Sequence, residues 1–171
     1  MMEFEEVIEK RYSVRRFQDK PVEREKLKKI LEIVNSAPSA GNLQSYFVFI
    51  VKNEEKRKEI ARACFNQYFI QEAPLVLVFC ADLNRASAYG KRGEELYSLQ
   101  DATIAATFAM LAAVDLGLGS VWIGAFDEKE IAEILDLPSH LRPVAVLPIG
   151  YPAERPGERK RRKIEDICRE V

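Results

Sequence analysis

One uninterrupted helical stretch, Ser98–Gly117, constrains the fold more than any other part of the chain. It has no proline and no internal glycine, most of its residues are strong helix formers, and Gly117 supplies a stop. A thin polar line of Gln100, Thr103 and Thr107 follows its first half, whereas its second half is almost wholly apolar. Because a helix that is apolar nearly all round has to be covered on several sides, the stretch predicts the central helix of a globular domain. Its small residues would also allow it to pack against its own copy in a dimer.

The bulk composition narrows the classes of protein to consider. A length of 171 residues favours one domain over residues 1–171 with a substantial core. A membrane span is disfavoured because Asp101 and Asp115 bracket too short an apolar run. The 26 basic and 27 acidic residues nearly cancel, so we expect neither nucleic acid nor a membrane surface as the partner of the whole domain.

The cysteines and the histidine exclude several kinds of site. Cys64, Cys80 and Cys168 are widely spread without CxxC spacing, which is typical of reduced thiols and predicts a cytoplasmic protein. With His140 as the single histidine, a histidine-based metal site and a Ser-His-Asp hydrolase are both disfavoured, and we predict no metal site. The acidic, amphipathic N-terminus is unlike a signal peptide.

Hydrophobic periodicity predicts the remaining elements. Helices are expected at Met2–Lys10, Glu23–Asn35, Glu54–Cys64 and Asp127–Leu135, and strands at Tyr46–Val51, Pro74–Ala81, Ser120–Ile123 and Pro143–Ile149. Because they mix without a regular βαβ order, the α+β class is favoured. We predict residues 39–45 to be a loop and residues 83–97 to be a mobile loop with some helix. The tail, 153–171, is polar and basic, and Ile164 and Ile167 suggest that its end packs on a surface.

The glycines after the central helix do not form a dinucleotide-binding fingerprint. Gly117-Leu118-Gly119 is followed by Gly124, and the segment leaves a helix to enter a strand. A Rossmann fingerprint has the opposite order, with the pyrophosphate at a helix N-terminus. These glycines therefore predict a helix cap and a tight turn.

Two basic segments are candidate anion sites. If residues 11–15 are extended, Arg11, Ser13 and Arg15 point to one side and present two guanidinium groups and a hydroxyl, a set that suits a phosphate. A solvated turn paired with the acidic residues of the first helix is the alternative, and the residues alone favour it. The basic run Arg159–Lys163 in the tail is similarly ambiguous. Such runs are usually solvated or bind nucleic acid loosely, but its position between a predicted strand and an apolar end could pin it to the fold.

Six segments together resemble one known family. They are RYSVRRF (11–17), DKPV (19–22), APSAGNLQ (37–44), FNQYFIQEAP (65–74), LGLGSVWIGAF (116–126) and PIGYPAERP (148–156). In this order they resemble the compact members of the nitroreductase family of FMN-dependent NAD(P)H oxidoreductases. The resemblance reverses the interpretation of the arginine turn.

The resemblance implies a fold and an assembly. The fold would have a central mixed, mostly antiparallel sheet flanked by helices, with the long apolar helix at its centre. Two chains would intertwine as a homodimer with FMN at the subunit interface, and the tail, 153–171, would pack on its own fold or on the partner subunit.

The resemblance also implies a set of cofactor-binding residues. Arg11 and Ser13 would face the phosphate and ribityl end, and Tyr12 between them would be a further cofactor-binding residue. Arg15 and Asn66 would face the pyrimidine edge of the flavin, and Ile123, Gly124 and Ala125 would run past the flavin with a backbone N–H near N5. Arg159 and Arg161 would return to the phosphate, and Pro38, Ser39, Asn42 and Gln44 would come from the other subunit. No catalytic side chain is implied, because the flavin N5 is the reactive centre.

The function implied by the resemblance is hydride transfer from NADH or NADPH through flavin N5 to an electron-poor small molecule, such as a nitroaromatic or a quinone, in a ping-pong cycle. Two alternatives within the fold are cleavage of flavin itself and reductive dehalogenation. A flavin-binding protein without catalytic activity, acting in regulation, is the alternative from another class.

Overall fold

The computed structural model describes residues 2–171, and its elements follow the predicted order closely. The helices are α1 (Phe4–Lys10), α2 (Arg24–Asn35), α3 (Glu54–Ala63), α4 (Phe69–Glu72), α5 (Leu83–Ala86), α6 (Gly90–Arg92), α7 (Ser98–Asp115) and α8 (Glu128–Leu135). The strands are β1 (Tyr46–Val51), β2 (Leu75–Asp82), β3 (Gly119–Ser120) and β4 (Leu141–Gly150). Short 3₁₀ turns lie at Ala40–Asn42, Ser87–Tyr89 and Ile164–Asp166, and a π-helical turn lies at Gly93–Tyr97.

The strands form one four-stranded sheet in the order β1-β2-β4-β3, and all three pairings are antiparallel. The register places Leu77 of β2 opposite Leu147 of β4. A parallel bridge between Ser13 and Ser120 extends the β3 edge toward the N-terminal segment. The predicted α+β class and the mostly antiparallel central sheet are confirmed.

Strand β2 is buried along its whole length and divides the core into two layers. Leu75, Leu77 and Phe79 point toward α2 and α7, whereas Val76 and Val78 point toward α3 and α8. Successive side chains of a strand face opposite sides, so a strand covered on both faces is continuously apolar. The sheet therefore lies between two helical layers.

Helix α7 lies in the first of these layers and contacts α2, β2 and β4. Its polar line is where the sequence predicts it: Gln100, Thr103 and Thr107 are all exposed. The helix ends where Gly117 takes a φ of 74°, and the Leu118 N–H donates to the Ala113 carbonyl at 2.8 Å. This is the αL cap that glycine favours, and it confirms the predicted stop. None of the helices within residues 2–171 has the length and apolar character needed to cross a membrane.

Two predicted elements differ from the structure. Residues 83–97 are helical rather than a loop, because Asp82 caps α5 by accepting from the Arg85 N–H at 3.0 Å and Gly93 packs closely beneath the Ala86 carbonyl. The strand predicted at Ser120–Ile123 is also shorter. Continuous pairing ends at Ser120, and Ile123 meets β4 only through an isolated bridge to Val146.

The tail runs over the surface beyond residue 154. Ile164 and Ile167 are 70% and 60% exposed within this single chain. The predicted packing of the tail, and the extent of a single domain over residues 1–171, stay predictions.

Candidate functional site

The segment 11–17 is extended beside the β3 edge of the sheet. The Val14 N–H donates to the Ser120 carbonyl at 3.1 Å, and the Val14 side chain is buried beside Phe17 and Ala73. Alternation along the segment then leaves Arg11, Ser13 and Arg15 together on a shared cleft, as predicted.

The segment that follows β4 holds residues 11–17, here called the arginine segment, in place. The Gln18 N–H donates to the Tyr151 carbonyl at 2.8 Å, and the Ala153 N–H donates to the Arg16 carbonyl at 2.9 Å. Glu154 contributes twice, accepting from the Tyr12 hydroxyl at its carbonyl (2.6 Å) and from the Arg15 N–H at its carboxylate (2.5 Å). This role of Glu154 is not evident from the sequence, although the residue lies within the PIGYPAERP segment. Backbone hydrogen bonds therefore align two segments that are distant in sequence.

The resulting cleft has a volume of about 310 Å³. It is lined by Arg11, Tyr12, Ser13, Arg15, Gly157, Glu158, Arg159 and Arg161. Four of these side chains are guanidinium groups, and none of them takes part in an ion pair among residues 2–171. The cleft thus concentrates positive charge that no protein carboxylate neutralises by direct contact.

The electrostatics of Arg11 reflect this crowding. Burial lowers the pKa of its guanidinium below the ordinary value, and the positive charges of Arg159 and Arg161 lower it further. The acidic residues of α1 do not compensate, since Glu6 pairs with Lys10 at 2.5 Å. The alternative of a cationic turn paired with the first helix is therefore not seen among residues 2–171.

Arg159 has a second contact that the sequence did not predict. Its guanidinium donates to the backbone carbonyls of Glu9 and Arg11, where α1 ends. The last carbonyls of a helix lack partners within the helix, and a cation at this end complements the helix dipole. This contact draws the basic tail segment onto the arginine segment and places Arg161 on the same cleft.

A second group of predicted residues lies where the turn before α4 meets the segment before α8. Asn66 takes a left-handed φ of 62°, and its side-chain oxygen accepts from the Tyr68 hydroxyl at 3.1 Å. The Gln67 amide donates to the Cys64 carbonyl at 3.0 Å and reaches the Ala125 carbonyl at 3.4 Å. These contacts connect Asn66 to the 123–125 segment.

The 123–125 segment presents free backbone donors. Ile123 is buried, whereas Gly124 and Ala125 are exposed. Within residues 2–171 neither the Gly124 N–H nor the Ala125 N–H donates to a protein acceptor. An exposed N–H with no internal partner is available to a ligand.

This second group is a neighbour of the arginine cleft. Phe69 follows the Asn66 turn and packs against the buried cluster of Val14, Phe17 and Ala73, against which Tyr12 also packs. On the other side, Ser120 pairs with Ser13 shortly before the chain reaches Ile123. Within one chain, segments 11–15 and 159–161 therefore share the arginine cleft. Asn66 and residues 123–125 do not line it and are linked to it only through Phe69 and Ser120.

The remaining predicted residues, in the 38–44 loop, lie elsewhere. Pro38 and Ser39 line a separate cleft of about 560 Å³ at the start of α7, and Gln44 lines another of about 660 Å³ beside β1. None of the predicted loop residues, Asn42 included, lines the arginine cleft formed within residues 2–171. One chain thus does not join the loop to the cleft.

Comparison with known proteins identifies the family of this chain. The model of the nitroreductase family matches residues 8–69 and 61–151. The chain belongs to the nitroreductase family. The resemblance seen in the sequence is confirmed.

Several members of the family are similar over most of this chain. FMN reductase [NAD(P)H] of Bacillus subtilis is 38% identical over 166 residues, which cover 87% of this chain and 66% of that protein. NADH dehydrogenase of Thermus thermophilus is 35% identical, with 85% of this chain and 84% of that protein covered. The solved structure of B. megaterium NfrA2 superimposes with a TM-score of 0.90 at 33% identity, over 99% of this chain and 74% of that one. The present chain therefore covers 66%, just under two thirds, of the length of the B. subtilis FMN reductase.

Proposed function

We propose that this nitroreductase-family chain is an FMN-dependent oxidoreductase that passes hydride from NADH or NADPH to an electron-poor small molecule. The observation that carries the proposal is a cleft lined by four guanidinium groups that form no ion pair among residues 2–171, in a chain of this family. The relatives' names, FMN reductase and NADH dehydrogenase, support both the enzyme class and the cofactor.

The arginine cleft fits the phosphate end of FMN. Arginine donates hydrogen bonds in a fork that matches phosphate oxygens, and Ser13 adds a hydroxyl donor beside it. Burial lowers the pKa of Arg11, the positive charges of Arg159 and Arg161 lower it further, and a bound dianion would offset this repulsion between the cations. Arg11, Tyr12, Ser13, Arg159 and Arg161 are therefore the residues proposed to hold the phosphate and ribityl end.

The second group of residues fits the flavin ring. FMN, when bound, supplies a ring that accepts hydride at N5 and releases it to a second substrate. Arg15 and the Asn66 amide are proposed to bind the pyrimidine edge, where a cation stabilises negative charge on the reduced ring. The free N–H groups of Gly124 and Ala125 are proposed to donate near N5, with Ile123 anchoring that segment in the core.

The 38–44 loop fits a dimeric site. Because this loop lies apart from the arginine cleft in one chain, we propose that Pro38, Ser39, Asn42 and Gln44 reach the flavin bound by the partner subunit in a homodimer. The site would then be complete only at a subunit interface. In such a pair, the exposed Ile164 and Ile167 of the tail are proposed to pack on the partner subunit.

The acceptor is proposed by class alone. A ring exposed at a cleft can exchange one substrate for another on the same face, which gives a ping-pong cycle with a nitroaromatic or quinone as the second substrate. No side-chain acid or base is required of the protein in this scheme. Flavin cleavage, reductive dehalogenation and a non-catalytic flavin-binding role are the competing outcomes of the tests.

Visible absorbance of the purified protein, recorded before and after anaerobic NADH or NADPH, tests the proposal. We expect a yellow protein that bleaches with either nucleotide and regains its colour with a quinone. A yellow protein that no nucleotide bleaches would favour the non-catalytic role. A colourless protein that takes up no added FMN would overturn the proposal.

The variant Arg11→Ala tests the phosphate assignment. Loss of a charged hydrogen-bond donor should raise the dissociation constant for FMN about 10- to 100-fold. Arg16→Ala is the matched control, since Arg16 is a neighbouring exposed arginine outside the cleft. Equal flavin content in both purified variants would remove Arg11 from the phosphate site.

A further inference from the structure

The central helix carries a buried carboxylate that the proposed chemistry does not use. Asp101 lies in the first turn of α7 and is only 2% exposed. It takes part in no ion pair among residues 2–171. A buried carboxylate without a cation persists only where hydrogen bonds satisfy it, so its partners indicate its role.

All of its hydrogen-bond partners belong to the loop before β1. One carboxylate oxygen accepts from the Ala40 N–H at 3.0 Å. The other accepts from the Ser45 N–H at 3.2 Å and from the Ser45 hydroxyl at 2.5 Å. Asp101 therefore fastens both ends of the 40–45 segment to the rigid central helix, and Asn42 and Gln44 lie between these two points.

The segment between the two anchors has a backbone that needs such support. Gly41, Asn42 and Gln44 have φ values of 55°, 56° and 49°. The left-handed region is unfavourable for residues other than glycine, by roughly a factor of ten per residue. The structure counters this with the Asp101 contacts and with the Ser39 hydroxyl, which accepts from the Gln44 N–H at 2.9 Å. The conformation that presents Asn42 and Gln44 is thus imposed by their surroundings.

We propose that Asp101 is a positioning residue for the 38–45 loop, which is the 38–44 loop together with Ser45. Asp101 holds this loop in the shape with which it binds the flavin of the partner subunit. The inference rests on the proposed function, because it assigns Asp101 to the half of the site that the other chain completes. Asp101 itself does not touch the cofactor. It acts through the backbone of Ala40 and through Ser45.

Asp101→Asn is the first test. Whichever oxygen the amide replaces, at least one N–H of the loop loses its acceptor. We expect the dissociation constant for FMN to rise about tenfold. The matched control is Asp115→Asn on the same helix, where Asp115 accepts only from the Met2 N–H at 2.6 Å, far from the loop in sequence. We expect the control to bind FMN as the wild type does.

A second variant guards against a general loss of folding. Ser45→Ala removes one donor and leaves the carboxylate in place, so it should weaken FMN binding in the same direction by a smaller factor. The free energy of unfolding of each apoprotein, measured in urea, shows how much of the change is structural. If both variants lose stability but keep the wild-type affinity for FMN, the positioning role is wrong.

Mixed dimers give a readout that a purely structural role would not move. Co-expression with two affinity tags yields dimers with one Arg11→Ala chain and one Asp101→Asn chain. If the loop serves the partner's flavin, one site carries both defects and the other carries neither. We then expect one tightly bound FMN per mixed dimer, whereas each parent homodimer has none.

The remaining outcomes separate this inference from the proposed function. Mixed dimers that retain no tight FMN would mean that Asp101 acts within its own chain, and the inference would be overturned. Wild-type protein that binds no FMN at all would instead overturn the proposed function. A wild type and an Asp101→Asn variant of equal affinity, beside an impaired Arg11→Ala variant, would overturn the inference alone.

Discussion

The arginine cleft and the 38–45 loop are both assigned to the same cofactor, yet they are built in opposite ways. The cleft gathers cations from two distant segments. These are joined by backbone hydrogen bonds to Tyr151 and Ala153 and by two hydrogen bonds to Glu154, one at its carbonyl and one at its carboxylate. The loop holds a strained backbone against one buried carboxylate, Asp101, on the central helix. In the first region the ligand is needed to relieve charge, whereas in the second the protein supplies the order by itself.

This contrast has consequences for stability. Arg11 and its neighbouring cations repel one another, so the cleft costs the unliganded protein free energy that a bound anion returns. The loop conformation is stabilised by contacts present without the cofactor. Substitutions in the two regions should therefore affect the apoprotein differently, even where both weaken FMN binding.

The largest effect is expected for Gly41→Ala in the loop. A Cβ at this position would lie 2.1 Å from the Tyr89 hydroxyl oxygen, and the φ of 55° would become unfavourable. We expect the free energy of unfolding to fall by about 1–2 kcal/mol, together with FMN affinity. Urea denaturation of the apoprotein measures the first quantity, and flavin fluorescence measures the second.

Gly157→Ala is the control in the other region, because a Cβ at Gly157 meets nothing within 4 Å. Its stability should stay within about 0.5 kcal/mol of wild type. The background Tyr89→Phe removes the closest clash and should recover part of the Gly41→Ala loss. Equal losses for the two glycine variants would show that the loop is no more constrained than the tail.

A smaller effect is expected for Tyr12→Phe at the rim of the cleft. The variant loses the hydrogen bond to the Glu154 carbonyl, which should cost about 1 kcal/mol at neutral pH. Burial and the Glu154 charge raise the pKa of Tyr12, so the folded state disfavours the phenolate. The wild type should therefore lose stability as pH rises above about 10, and Tyr12→Phe should lack that part of the loss.

Urea denaturation of both proteins between pH 7 and pH 11 measures this difference. The gap between wild type and Tyr12→Phe should narrow at the alkaline end. A gap that stays constant with pH would show that folding does not raise the pKa of Tyr12, and the absence of a gap at neutral pH would show that its hydroxyl contributes little to holding the cleft together.

The smallest effect, and the one of opposite sign, is expected for Arg11→Ala without cofactor. Removing one of several crowded cations should leave the free energy of unfolding within about 0.5 kcal/mol of wild type or raise it slightly. Added inorganic phosphate should stabilise the wild type more than the variant, as measured by thermal melts at constant ionic strength. A large loss of stability without ligand would show that Arg11 stabilises the fold, and that repulsion among the cations of the cleft is outweighed by other contacts of Arg11.

Much of the fold could be predicted because it follows from local patterns. The continuous apolar run of β2 indicates a strand covered on both faces, and the polar line of α7 shows which side of that helix stays exposed. The loop predicted with some helix at residues 83–97 is instead a series of short helical turns. Their polar sequence does not reveal the Asp82 cap or the close contact between Gly93 and Ala86.

The candidate site also has features that follow from the local sequence pattern and features that depend on tertiary contacts. The alternation of Arg11, Ser13 and Arg15 in the sequence determines that an extended segment presents two guanidinium groups and a hydroxyl together. Only the tertiary structure shows that Arg159 caps α1 beside these side chains. Likewise, only the tertiary structure shows that Asp101, a polar residue at the edge of an apolar run in the sequence, anchors the loop. The physical reason is that periodicity reports which face a side chain occupies. The partner it meets there comes from a distant part of the chain and is set by packing.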